Sequence, residues 1–349
     1  SACLVGSEMC IRDRAMQYLD DAIADLQKED LIDPGAQDLL YQGDAEKWLK
    51  LAYGLKARYT MHLLKRSANK DADMEKVLEY VDNSFESAEE QAAFDVYDAN
   101  NINPLYGFFV ARAGLGASES MRSKLAEYND PRLSRAFITK QGASGKEQAP
   151  GSADNAVYAP NGSPEQGTSK YGTSLFMYSI SAPTLLLSYH ELKFLEAEAL
   201  CRLGRDAKSA LKDAVVAGLL NAENSFSVSR KELGKTLINP ASSITDTEAE
   251  SYFDNTVEAK YTAEPLKTTM TQKYFALWGA SGEATESYND VRRMKGLGEN
   301  FIELKNPNSF PLRCPYGNSD TTTNAEVKAA YGNGQYVYSE NVWWAGGSR

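Results

Sequence analysis

Histidine is nearly absent from this chain, with His62 and His190 its only two copies in 349 residues. Both fall in stretches of helical periodicity, where a lone histidine is a surface or satisfied core residue far more often than a base. A Ser-His-Asp triad or a multi-histidine metal site therefore has too few parts. Cysteine is scarce as well. Cys3, Cys10, Cys201 and Cys314 include no Cys-x-x-Cys pair, which excludes a zinc or redox motif of that kind. Apolar runs are only a few residues long, so no transmembrane helix is expected. No glycine-rich phosphate loop follows a strand. Lys and Arg number 37 against 48 Asp and Glu, a net charge of −11, and that deficit of cations excludes nucleic acid as a partner. The carboxylates offer pairs everywhere, yet most, such as Glu89 with Glu90 or Glu196 with Glu198, read as solvated helix faces. No enzyme is legible, and no cofactor or metal is expected.

Helical hairpins are present instead. In residues 188–219, Leu192, Leu195, Ala199 and Leu203 recur at helical spacing and form one apolar stripe. Ala197, Ala207, Ala210 and Ala214 are small enough for two helix axes to approach closely. Gly204 stands where the first helix must stop, in a left-handed cap that is cheap only for glycine. Far upstream, residues 43–66 predict a long helix with Asp44 as N-cap. Trp48, Leu51 and Ala52 reproduce the spacing of a tetratricopeptide first helix. Asp71 or Asp73 is expected to open its partner, which carries Met74, Val77 and Val81. The fold class read from this is all-α: a tetratricopeptide-like helical scaffold with a large irregular, loop-rich ligand-binding subdomain.

The scaffold is assigned to 15–93 and 184–300, within one domain spanning 15–345. Residues 15–28 place Met16, Leu19, Ile23 and Leu26 on one helical face. Residues 1–14 show no period, resemble a translated adapter string, and are set aside as a non-native leader. The loop-rich insertion covers 94–183, with helix returning at 118–128 and a Gly-, Ser-, Asn- and Pro-rich stretch at 139–174. Residues 221–245 read as irregular and are followed by helices at 246–260 and 263–279. The tail from 301 to 349 reads as irregular, with short strands at most. Arg292 and Arg293 are read as an internal clamp pairing to a buried acid such as Asp290, in preference to a site for an anion.

Aromatic residues in loops are the stronger sign of binding. Many of the 20 tyrosines lie outside predicted helices, and a ring offers a flat apolar face at small conformational cost. Amides and rings co-occur in the insertion. Asn101 and Asn103 are the expected hydrogen-bonding residues there, and Tyr106, Tyr158 and Tyr171 the expected stacking residues, for an oligosaccharide or peptide ligand.

The segments WLKLAYGLKARYTMHLLKR (48–66), DPRL (130–133), SYHELKFLEAEALCRLG (188–204), TQKYFALWG (271–279), YNDVRR (288–293) and the late NVWW occur in order over roughly 15–345. In this the chain resembles the SusD/RagB outer-membrane nutrient-binding lipoproteins of Bacteroidetes, in the SusD-like branch. The resemblance implies a non-enzymatic protein on the outward face of the cell outer membrane. It also implies a lipid anchor on an N-terminal cysteine, which this chain lacks and its full-length parent would carry. Its partner would be a SusC-like TonB-dependent β-barrel transporter. The alternative is an intracellular tetratricopeptide adaptor gripping a partner's peptide, against which the long aromatic-rich connections count. A glycoside hydrolase would need two carboxylates at a cleft.

Overall fold

The computed structural model describes residues 2–29, 32–112, 115–141, 146–148, 158–162, 171–234, 237–238, 240–279, 282–307 and 309–347. The scaffold opens with α1 (Ala2–Leu26), α2 (Ala45–His62) and α3 (Lys70–Asp82). Helix α1 runs through the stretch set aside as a leader. That stretch has no proline and a single glycine, so it can extend the helix that residue 15 was expected to begin. Asp44 caps α2 by accepting from the Lys47 amide at 3.1 Å. The cap of α3 is Asn69, which accepts from Ala72 at 3.1 Å, so the helix begins ahead of both expected aspartates.

The insertion contributes α4 (Pro104–Arg112) and α5 (Glu119–Glu127). Beside them run β1 (Ala92–Phe94), β2 (Phe137–Gln141), β3 (Lys146–Gln148), β4 (Thr173–Ser174) and β5 (Thr184–Leu187). The second hairpin is α6 (Tyr189–Arg202) and α7 (Lys208–Leu233), joined through left-handed Gly204. Strand β6 (Leu237–Ile238) completes a sheet ordered β4-β2-β3-β6, while β1 and β5 pair separately. Next come α8 (Asp246–Tyr252), a π-helical turn at Phe253–Val257, α9 (Glu258–Ala263), α10 (Pro265–Ala276) and α11 (Ala284–Leu297). The tail carries α12 (Asn318–Thr323) and α13 (Ala325–Tyr331), helices where strands at most were expected.

Helices α1, α2, α3, α6 and α7 pack in sequence, with α10 against α6 and α7. The two hairpins are thus neighbours in space although the insertion separates them in sequence. At the α7–α10 crossing a Cβ on Gly218 would stand 2.9 Å from the Ala276 Cβ, so only glycine permits that approach. The small alanines foreseen for the hairpin are all buried. Helix α7 runs past the predicted stop at 219 because its polar residues are accommodated. Ser229 donates to the Ser225 carbonyl at 3.0 Å, while Ala222 and Phe226 prolong the buried face.

Helix α6 is the electrostatic centre. Glu198 accepts two bonds from Arg293 at 2.5 and 2.9 Å and one from Arg202 at 2.8 Å. Arg293 also reaches Asp290, which Lys273 approaches at 2.8 Å. Burial alone would raise the Glu198 carboxyl, but Arg293 and Arg202 more than reverse this and hold it far below the usual range. The clamp expected of the twin arginines is therefore made by Arg293. Glu198, expected on a solvated face, is fully buried instead. Glu191 takes Arg58 of α2 in a two-pronged pair. Such pairs add little net stability against apolar packing, but they fix helix register because misalignment strands a charge.

Candidate ligand-binding cleft

A cleft of about 840 Å³ opens between α5, α10 and the segment following α11. Its floor is aromatic. Tyr128 meets Phe275 edge to face at 5.3 Å, and both rings are buried. Thr271 lies beside them. Burial raises the Tyr128 hydroxyl, so the phenol stays protonated at neutral pH.

One lip is the 158–162 segment, strapped to the start of α5. Ala159 donates to the Ala117 carbonyl at 2.8 Å, and Glu119 donates to the Ala159 carbonyl at 3.0 Å. Ser118 caps α5 by accepting from the Met121 amide and donates its hydroxyl to Asn161 Oδ1 at 3.2 Å. These bonds deliver Pro160 and Asn161 to the lip. The opposite lip is residues 300–307. Gly298 adopts a left-handed φ of 82° at the end of α11, and Glu299 donates to the Met294 carbonyl at 2.9 Å. Arg202 holds the Glu299 carboxylate with two bonds at 2.8 and 2.9 Å. Asn300 and Phe301 then face the cleft, while Ile302 anchors the segment among Met270, Val291 and Met294. The lips meet where a Cβ on Gly162 would stand 2.5 Å from Pro307 Cδ.

The five residues singled out from sequence fall in separate places. Asn103 is buried as the cap of α4. Its amide donates to the Ala182 carbonyl at 2.8 Å and its carbonyl oxygen accepts from Leu105 at 2.9 Å, which leaves nothing for a ligand. Asn101 is exposed and donates to the Val96 carbonyl at 3.1 Å. Tyr106 is half-buried and donates to Glu232 at 3.2 Å, beside exposed Phe108 and Val110. Tyr158 is half-buried against Phe137, ring centroids 5.3 Å apart, with the Arg122 guanidinium 5.6 Å from its centroid. Tyr171 is buried, against the expectation of a stacking face. Most of the 139–174 loop lies outside the described residues.

Sequence reasoning missed Lys124, Tyr128, Asn300 and Phe301. Their signal is weak, since α5 and the 300–307 segment are remote in sequence, and tertiary contacts such as those of Arg202, Ile302 and Gly162 bring their walls together. Among the described residues no group of His, Cys, Asp and Glu is placed to hold a metal ion, and no described helix is long and apolar enough to cross a membrane.

A hairpin scaffold whose loops wall one ring-floored cleft defines a ligand-binding protein of the all-helical, tetratricopeptide-like class. The chain belongs to the SusD-like family described as starch-binding, associating with the outer membrane, whose profile matches residues 8–316. It is similar to a SusD/RagB family protein from Bacteroides thetaiotaomicron VPI-5482, at 67% identity and a TM-score of 0.92, covering 96% of this chain and 72% of that one. A chitin-binding protein shares the fold at 20% identity and a TM-score of 0.68, covering 97% and 72%. A SusD homologue from Bacteroides fragilis NCTC 9343 does so at 20% identity and 0.70, covering 96% and 74%. Among curated proteins none matches the chain. Family membership gives a nutrient-binding, outer-membrane-associated class and does not favour the intracellular adaptor.

Proposed function

We propose that this protein captures an oligosaccharide in the α5–α10 cleft and delivers it, without turnover, to a SusC-like TonB-dependent transporter. The observation that carries this reading is the cleft's composition. The half-buried Phe301 ring offers an apolar face beside a buried Tyr128–Phe275 floor, and the amides of Asn161 and Asn300 with the hydroxyls of Ser120, Ser123 and Thr271 line the walls. Sugars present this pairing of apolar ring faces and hydroxyls, and sites for small ligands are usually concave, apolar and edged by a few polar groups. The chitin-binding relative supports a glycan over a peptide.

The lipid anchor belongs to the same reading, with attachment N-terminal to the scaffold. Asn101, Tyr106 and exposed Phe108 lie in α4 and the loop before it, which keeps the first expectation in play. Calorimetric titration of the purified chain with a panel of oligosaccharides and short peptides tests the cargo. Oligosaccharide binding that Phe301→Ala weakens and Tyr106→Ala leaves intact supports the cleft, and the reverse moves the site to α4. Turnover of any bound glycan would refute a purely binding role. Co-purification with the transporter from the native membrane tests delivery. A stable lid there buries at least about 1,200 Å².

A further inference from the structure

The cations of the scaffold interior are compensated. Arg58, Arg132, Arg293 and Lys273 each face a carboxylate: Glu191, Asp130, Glu198 and Asp290 respectively. Among the described residues Arg292 and Arg313 lack one and are covered by rings instead. Arg292 lies 4.2 Å from the Tyr288 ring centroid and 4.7 Å from that of Trp344, and Arg313 lies 5.0 Å from that of Tyr316. Among the described residues Lys124 has neither form of cover. It is half-buried on the cleft wall of α5, and its Nζ makes one hydrogen bond, to Ser120 Oγ at 2.7 Å.

The other charges around the cleft do not neutralise it. Glu303 is bridged to Lys305, and Lys267 to Glu264 at 2.8 Å. Glu119 and Glu127 are exposed at the two ends of α5. No described carboxylate comes within ion-pair distance of the Lys124 ammonium. Loss of hydration lowers its pKa and outweighs the distant attraction of Glu303 and Glu127, which is the mark of a cation short of a close partner. An ammonium held half out of water on a ligand-sized wall, with two donors to spare, is provision for an oxyanion.

We propose that the cleft takes an oligosaccharide bearing an anionic substituent, a uronate carboxylate or a sugar sulfate, and that Lys124 selects it. This rests on the cleft being the cargo site. With the anion on Lys124, a sugar ring face lies on half-buried Phe301 and hydroxyls meet Asn161 and Asn300.

The test is calorimetry on the full chain with three size-matched oligosaccharides: uronate, sulfated and neutral. Wild type, Lys124→Met and Lys124→Arg are compared. Met keeps the length of the stem without the charge, and Arg keeps the charge. The anionic oligosaccharides are expected to bind at least tenfold more tightly than the neutral one. Added salt should erode that preference, Lys124→Met should abolish it, and Lys124→Arg should keep most of it. Whichever anionic oligosaccharide binds more tightly identifies the substituent. Lys124→Met should also melt at the same or a higher temperature, because it removes an uncompensated charge. A folding defect in that variant would overturn the assignment of Lys124 to ligand rather than to structure.

If all three oligosaccharides bind equally and Phe301→Ala weakens them alike, charge selection is refuted while the cargo reading stands. If none binds, or only peptides do, both fall.

Discussion

Glu283 lies under the cap of α6, accepting from the Ser188 amide at 2.9 Å, with the Arg58-paired Glu191 as its neighbour. Burial, and then the Glu191 charge, raise its carboxyl well above the ordinary value of 4.5. A raised folded-state pKa stabilises fully below the unfolded value, and the benefit is lost as pH climbs through the folded one. Glu283→Gln keeps the acceptor and needs no proton. It should therefore match wild type near pH 4.5 and exceed it increasingly toward pH 8, in urea melts across that range. His190 works at the acid end, where burial, with Arg132 and Lys273 nearby, pushes it down to about 3. The unfolded chain binds that proton below its ordinary value of 6.5, so stability falls as pH drops from there toward 3. Glu198→Ala takes two bonds from buried Arg293, leaving it Asp290 alone, and should cost about 3–5 kcal/mol, whereas Glu196→Ala, one turn face away, should stay within about 0.5 kcal/mol. The sequence alone reads these two glutamates alike. What separates them is Arg293, on a helix that neither local spacing nor charge pattern could bring near. The same blindness hid the burial of Asn103: a cap and a ligand amide look identical until the helix that follows is placed.

Elements were more legible than residues, because helical periodicity is local. The hairpin α6–α7, its left-handed Gly204, and the Asp44 cap are all written in consecutive residues. The failures were at ends whose continuation depends on tertiary partners, as at Ser225 and Ser229 in α7 or Asn69 ahead of α3. Gly54 shows the limit of propensity. In mid-helix, alanine would gain roughly 1 kcal/mol over glycine. Yet a Cβ there would meet the Leu187 side chain of β5 and stand 2.7 Å from Ser84 Oγ. Overpacking of that order costs about 1–3 kcal/mol, so Gly54→Ala should destabilise on balance, as a lowered denaturation midpoint would record.

At the scale of the whole molecule, Trp344 joins both ends of the chain. Its ring lies 5.8 Å from the Arg12 guanidinium of α1, 6.4 Å from His62 of α2 and 4.7 Å from Arg292 of α11. Arg66 secures the same tail by donating to the Trp343 carbonyl at 2.7 Å. Trp344→Ala should cost about 3 kcal/mol and expose residues 341–347 to limited proteolysis before the scaffold is cut. The paired tryptophans were visible in the sequence. Their anchoring role was not, since it needs three helices from distant parts of the chain.

The meeting of Gly162 with Pro307 has a consequence for descent. Both lips are short non-helical segments, fastened to the scaffold by backbone bonds, the Arg202–Glu299 clasp and the Ile302 anchor. The lip residues that would face cargo in the proposed cleft are thus largely separate from those that hold the helices in register. Mutations there can accumulate with little loss of folding, so if the proposed cleft is the cargo site, such a chain can change diet by drift while its architecture is inherited intact. Exchanging 158–162 and 300–307 together for the lips of a relative, with Gly162, Glu299 and Ile302 kept, should alter which glycan the proposed cleft prefers, leave the charge preference with Lys124 of α5, and leave the melting temperature almost unmoved. Exchanging either lip alone should fail, because each is shaped against the other.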